Sequence, residues 1–273
     1  MQKYQKVFNC INLMFNFYVK HTNILGISSV DYLFNKNTMD ISCIADLIKA
    51  QNTIKTDYAQ QIMVITRSFI ESSILLIFLL KNEAERYKYQ EDSQLLLFKN
   101  VFMDYKYALT GKFDQLLVDI NFSLDLLRQG VVETFNNLSL NNKKQILKVI
   151  KRDEFIIDDT TYSDLDYFLR NFKPISFSVQ KMWRKLSNII ELNGKTIEDL
   201  TKLDYNRASQ FTHNIYPLQK ADIREATRIC FSLSNITAAI FNDMFKIALP
   251  EELRQFIKEA YIIIHPEDSN VII

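Results

Sequence analysis

The stretch Tyr205-Asn-Arg-Ala-Ser-Gln-Phe-Thr-His213 holds the side chains best suited to chemistry in this chain, including one of its three histidines. Histidine moves protons near neutral pH, and arginine grips a phosphate through paired hydrogen bonds. Together they suit metal-free RNA cleavage, in which a base activates the 2′-hydroxyl and a cation stabilises the charge building on phosphorus. Near a helix C-terminus the protonated form of His213 is favoured by the helix dipole, which suits a general acid. Tyr205, Ser209 and His213 recur every fourth residue. On a helix they share one face, with a drift of about 40° per step. Arg207 and His213 have five residues between them and lie about 120° apart around the same helix. They can meet one phosphate only in a groove formed with another helix or another subunit. The plainer reading is a histidine capping a helix end and an arginine on a solvated face.

A second pair lies far upstream. Arg67 and Glu71 are four residues apart at the opening of an apolar stretch, so they can bond along one helical turn, and a charge placed there needs a partner. Two readings are open: a support for the His213 helix, with Glu71 orienting the imidazole or Arg67 adding a phosphate contact, and an ion pair that locks two helices. Tyr205 and Ser209 are likewise open between substrate contact and packing. His21 and His265 have no partners at ligand spacing, and no metal or cofactor is expected. Asp158-Asp159 and Asp164/Asp166 are carboxylate pairs on polar segments and read as a solvated face. No glycine-rich phosphate loop and no nucleophile elbow occurs.

The elements that must position these residues are helices. The chain has 273 residues, 48% hydrophobic, with only four glycines and four prolines. That length buries a full core, and so few turn residues disfavour a sheet-rich fold. With 33 basic and 32 acidic residues the net charge is +1, which gives no general attraction to nucleic acid or to an anionic membrane. Cys10, Cys43 and Cys230 are scattered and odd in number, as reduced cytosolic thiols are. The apolar patch at 11–19 is interrupted by Asn12 and Asn16 and does not read as a signal peptide. The apolar run at 72–80 is about half the length of a bilayer crossing. A buried core helix is expected instead, with no membrane contact and a cytoplasmic location.

In chain order, helical periodicity covers 3–20 and Gly26 breaks it. Asp40 is the expected N-cap of a short helix to about Lys49. The longest helix is expected over 53–88, apolar nearly all round at its middle, and so at the bundle centre. Ser93 is the expected cap of a helix over 94–110 with Leu96, Leu97, Val101 and Tyr105 inward, ended by Gly111. A helix over 113–135 is weakened at Gly130, and a short lysine-rich one covers 142–152. The segment at about 136–161 is the most polar and the candidate for an insertion, lid or partner surface. Helices follow over 162–171 and 176–192, the latter with Trp183. The focal helix runs from Thr196 to about Ile215, then come helices over 222–249 and 251–264, the last opened by Pro250. The expectation is an all-α, single-domain multi-helix bundle around the 53–88 and 222–249 helices, with the focal helix between them.

Arg207-Ala-Ser-Gln-Phe-Thr-His213 resembles the motif of the HEPN superfamily, an arginine followed after four to six residues by a histidine on one helix near the domain's end. Ala208 stands where many active members have a polar residue. The landmarks Arg67, Glu71, Trp183, Tyr205, Ser209 and His213 also resemble an uncharacterised family of helical prokaryotic proteins. The resemblance implies a metal-independent endoribonuclease of a prokaryotic toxin or antiphage system, with RNA as substrate. His213 would be its acid/base and Arg207 its phosphate contact, supported by Arg67, Glu71, Ser209 and Tyr205. It also implies a homodimer, and an antitoxin or defence-system protein as partner. The rival class is a non-catalytic helical sensor or adaptor that binds a protein or a nucleotide.

Overall fold

The computed structural model describes residues 2–25, 28–54, 58–109, 124–188, 190–192, 194–212 and 223–266. Among them run eleven helices and one two-stranded hairpin. In order these are α1 (Gln2–Leu25), α2 (Ser28–Ile54), α3 (Ala59–Lys81), α4 (Glu83–Leu109), α5 (Leu124–Asn136), α6 (Leu140–Ile150) and α7 (Asp159–Asn171). There follow α8 (Val179–Ser187), β1 (Glu191–Leu192), β2 (Lys195–Thr196), α9 (Ile197–Thr212), α10 (Ile223–Phe245) and α11 (Glu251–Ile264). The protein is an all-α multi-helix bundle, as its scarcity of glycine and proline requires.

The described residues group into two compact units, 1–83 with 177–273, and 84–176. In the first, α3 is the hub and packs against α2, α8, α9 and α10. Among the described residues α3 alone is long and apolar enough to cross a membrane, but 67% of its apolar window is buried by the protein itself. Ile70, Ile74, Leu76, Ile77, Phe78 and Leu79 are fully buried there, and each such side chain contributes about 1.5–3 kcal/mol. An aromatic cluster ties four helices together. Phe34 of α2 lies 5.7 Å from Phe15 and 5.5 Å from Tyr18, both of α1, and 5.5 Å from Phe241 of α10. Phe15 in turn meets Phe69 of α3 at 6.1 Å, and the Tyr18 hydroxyl donates to Asn242 Oδ1 at 3.1 Å.

Two expected boundaries fall differently. Asp40 caps nothing, because residues 28–54 contain neither glycine nor proline and α2 runs through them unbroken. Its carboxylate pairs with Lys36 one turn earlier at 2.6 Å, and the same ammonium reaches Ser68 Oγ of α3 at 2.7 Å. Beside it Asn37, fully buried, donates to Ser73 Oγ at 3.2 Å and accepts from Ser72 Oγ, so α2 and α3 are registered by a polar seam. The helix expected over 53–88 is three pieces: 53–54 close α2, α3 follows, and α4 starts at Glu83. The break is Asn82, at φ −128° and ψ 88°, whose side chain donates to the Phe78 carbonyl at 2.8 Å and so competes with the helical ladder.

In the second unit α4 passes through Ser93, the expected cap, without interruption. Its inward residues are Leu95, Phe98, Phe102 and Tyr105, while Leu97 is 58% exposed. The opening of the helix expected over 113–135, and Gly111, lie outside the described residues. Ser139 caps α6 by accepting from the Asn142 amide, and Lys151 ends it at φ 53°. The polar segment 136–161 contributes Ile146, Ile150 and Ile157 to the core of this unit, and Phe155 stacks on Phe135 at 4.1 Å. Asp166 is not on a solvated face: Lys106 bonds it at 2.5 Å and Arg170 at 3.0 Å. Burial alone would raise its carboxyl, but these two cations outweigh burial and hold it below its usual value.

Phe34→Ala removes the ring that Phe15, Tyr18 and Phe241 meet, and it should cost about 3–5 kcal/mol of stability. Urea unfolding followed by circular dichroism measures this; a loss under about 1 kcal/mol contradicts the central role of the cluster.

Candidate functional site

The site is assembled on α9, and its start is dictated locally. Thr196 Oγ1 accepts the Asp199 amide at 3.2 Å and Asp199 Oδ2 accepts the Thr196 amide at 2.9 Å, a reciprocal cap that fixes where the helix begins. The Thr196 amide, and then the Thr196 hydroxyl donating to the same Oδ2 at 2.8 Å, hold the Asp199 carboxyl below its usual value. A hairpin absent from the sequence reading delivers the chain to this point: β1 pairs with β2 antiparallel, and Gly194 takes φ 72° at its turn, a conformation glycine adopts without strain. The helix expected over 176–192 therefore ends at Ser187.

One face of α9 meets α8 and α3. Trp183 of α8, 3% exposed, donates its indole N–H to Thr201 Oγ1 at 3.0 Å. Its ring meets Tyr205 edge-on at 5.4 Å and 89°. The Tyr205 hydroxyl then donates to Glu71 Oε1 of α3 at 3.1 Å, and the same oxygen accepts from Arg67 Nε at 3.0 Å. The Arg67 guanidinium lies 5.6 Å from the centre of the Tyr205 ring, within the range of a cation–π contact. Burial, then the charge of Glu71, push the Tyr205 phenol up, with Arg67 opposing. Burial would lower the Arg67 guanidinium, but the bond and charge of Glu71 raise it. This clasp of Arg67, Glu71 and Tyr205 brings together three of the six residues singled out in the sequence, from two helices more than 130 positions apart. It is accessible: the Arg67 and Glu71 side chains are 22% and 39% exposed. Ser209, half-buried, follows one turn along the same face.

Arg207 is turned elsewhere. It is ion-paired to Glu225 of α10, with side chains 39% and 35% exposed. Three residues back, Asp204 accepts from Arg228 Nη2 through both oxygens at 3.2 Å. As the number rises on α9 it falls on α10, so the two helices run antiparallel, and the crossed pairs form a ladder that sets their register. The two steps differ in depth, because the Asp204 side chain is only 7% exposed. Burial pushes its carboxyl up, Arg228 pulls it down, Glu225 pushes it up again and Arg207 opposes. Sequence reading missed Asp204, Glu225 and Arg228. The signal was present as an acid-x2-arginine spacing on consecutive helices, Asp204/Arg207 and Glu225/Arg228.

His213 lies outside the described residues, which end on this helix at Thr212. The other two histidines make local contacts: His21 Nδ1 lies 2.8 Å from the Phe17 carbonyl, and the His265 ring lies 4.6 Å from Tyr261. Among the described residues no three His, Cys, Asp or Glu side chains gather as metal ligands. A separate cleft of about 320 Å³ lies between α1 and α11, lined by Lys6, Cys10, Leu13, Phe256, Glu259 and Ile263 among others. Burial, with Glu259 adding to it, pushes the Cys10 thiol up to about 12, which disfavours its thiolate.

Fold and site together define an all-α protein in which one helix is pinned by an aromatic clasp on one side and an ion-pair ladder on the other. Comparison with protein-family models, curated proteins and solved structures finds no match for this chain.

Arg228→Ala leaves the buried Asp204 carboxylate unpaired and should cost about 2–3 kcal/mol, whereas Tyr205→Phe removes one hydrogen bond and should cost about 1 kcal/mol. Chemical unfolding of both variants tests the order; a larger loss in Tyr205→Phe contradicts it.

Proposed function

We propose that the chain is a HEPN-like, metal-independent endoribonuclease of a prokaryotic toxin or antiphage defence system. It would work in the cytoplasm as a homodimer, with an antitoxin or defence protein as partner. The observation that best supports this reading is the clasp, in which Tyr205 binds the carboxylate that holds Arg67. It fixes the face of α9 bearing Tyr205 and Ser209 against a charged turn at solvent-accessible depth. In this reading His213 moves the proton and Arg207 holds the scissile phosphate. Arg67 adds positive charge, and Glu71 orients its neighbours. The 2′-hydroxyl loses its proton to a base, its oxygen attacks phosphorus, and the 5′-oxygen leaves with a proton from the acid. The products are a 2′,3′-cyclic phosphate and a 5′-hydroxyl, and no cofactor enters the balance. Because Arg207 turns to α10 while Tyr205 turns to α3, a groove between two copies is the arrangement in which one phosphate meets both sets.

One observation favours a second reading, a non-catalytic sensor or adaptor that binds a protein or nucleotide. Arg207 already has a carboxylate partner in Glu225, as a residue holding two helices in register would. Purified protein incubated with end-labelled single-stranded RNA in a chelator separates the two. A nuclease cuts the RNA, and His213→Ala slows it by about 10²–10⁴-fold while the fold is kept. Arg207→Ala should also slow it. Intact RNA with the wild type assigns the chain to the binding class, and cutting that survives both substitutions removes His213 and Arg207 from the reaction.

A further inference from the structure

The ladder between α9 and α10 holds two arginines and two carboxylates, so its net charge is zero. A site built to receive RNA phosphate has to present excess positive charge, and here Arg207 is neutralised before any ligand arrives. The two carboxylates are not equivalent. Asp204 is almost fully buried and is held through both oxygens by Arg228. Removing it from its partner would strand a charge away from water. Glu225 is 35% exposed and pairs with an arginine that is itself 39% exposed. Exposed pairs of this kind are worth little net free energy, because water replaces each contact at small cost. One step of the ladder is therefore fixed and the other exchangeable.

We propose that Glu225 is a built-in competitor for the phosphate seat on Arg207, so that RNA binds there by exchanging one carboxylate for one phosphate while the Asp204–Arg228 step keeps the helices in register. The proposal rests on the reading of Arg207 as the phosphate contact, and it identifies what restrains that contact in the free protein. A phosphodiester is tetrahedral, but like the carboxylate it offers two anionic oxygens that can accept from two guanidinium nitrogens at once. Glu225 is thus a positioning residue that acts through Arg207 and stays in place until a polyanion displaces it.

The test is fluorescence anisotropy with a labelled single-stranded RNA of mixed sequence, in the full chain carrying His213→Ala so that the probe stays intact. Glu225→Gln should tighten binding by about three- to tenfold and steepen the logarithmic salt dependence by about one. Glu225→Asp, which keeps the charge, should bind as the parent does. Adding Arg207→Ala to Glu225→Gln should abolish the gain. Glu225→Ala replaces the amide variant if circular dichroism shows that the latter does not fold. Unchanged or weaker binding in Glu225→Gln overturns the proposal, as do a gain that persists without Arg207 and an absence of binding in every variant. Failure of the nuclease reading is recognised separately, as intact RNA with the wild type or as RNA cleavage by the His213→Ala chain at the wild-type rate.

Discussion

A helix that is apolar nearly all round can exist in water only if other helices cover it, and that requirement organises the first unit of this protein. Between Phe69 and Leu80, α3 buries all but Glu71 and Leu75. Its neighbours α2, α8, α9 and α10 supply the cover, and the aromatic ring cluster of Phe15, Tyr18, Phe34, Phe69 and Phe241 shows how closely they close in. Apolar contact alone leaves rotation and sliding weakly specified. The polar groups set the register. Lys36, Asn37, Ser68, Ser72 and Ser73 bond α2 to α3, and Tyr205 and Glu71 bond α9 to α3.

That constraint explains where charge is concentrated. Arg67 and Glu71 occupy the turn of α3 where the continuous burial is interrupted, and α9 answers with an aromatic ring whose hydroxyl satisfies the carboxylate. On its other side α9 meets α10 through ion pairs, a buried one at Asp204 and a half-exposed one at Glu225. A helix so pinned has its register fixed from Thr201 to Arg207. The functional proposal depends on that register, because catalytic groups misplaced by about 1 Å lose on the order of a hundredfold in rate.

Much of the architecture was legible in the sequence. Pro250 marked the start of α11, Thr196 and Asp199 marked the start of α9, and the apolar run through Leu80 marked the central helix. The misreadings share a physical cause, in that tertiary partners or local side-chain bonds decide between options that periodicity leaves equal. Leu95, Leu96, Leu97 and Phe98 admit more than one inward register for α4, and packing chooses Leu95 and Phe98. Asp40 has the residue type of a cap, but Lys36 and the absence of a breaker keep it inside a helix. Asn82 ends α3 through a bond to its own backbone, which composition does not announce. At the site, the Arg67–Glu71 turn follows from spacing, whereas the bond from Tyr205 to Glu71 is a tertiary contact that spacing does not give. The partners of Arg207 required knowing that α10 folds back antiparallel.

The clasp is the point at which fold and proposed function meet, and the cleavage rate of Glu71→Gln tests it most directly. The amide keeps the size of the side chain and its ability to accept from Tyr205 but removes the charge that holds Arg67. With the folded variant verified by circular dichroism, the account predicts that cutting of single-stranded RNA falls about a hundredfold. A folded Glu71→Gln protein that cuts at the wild-type rate would reduce the clasp to a fastening between helices and contradict its role in positioning the site.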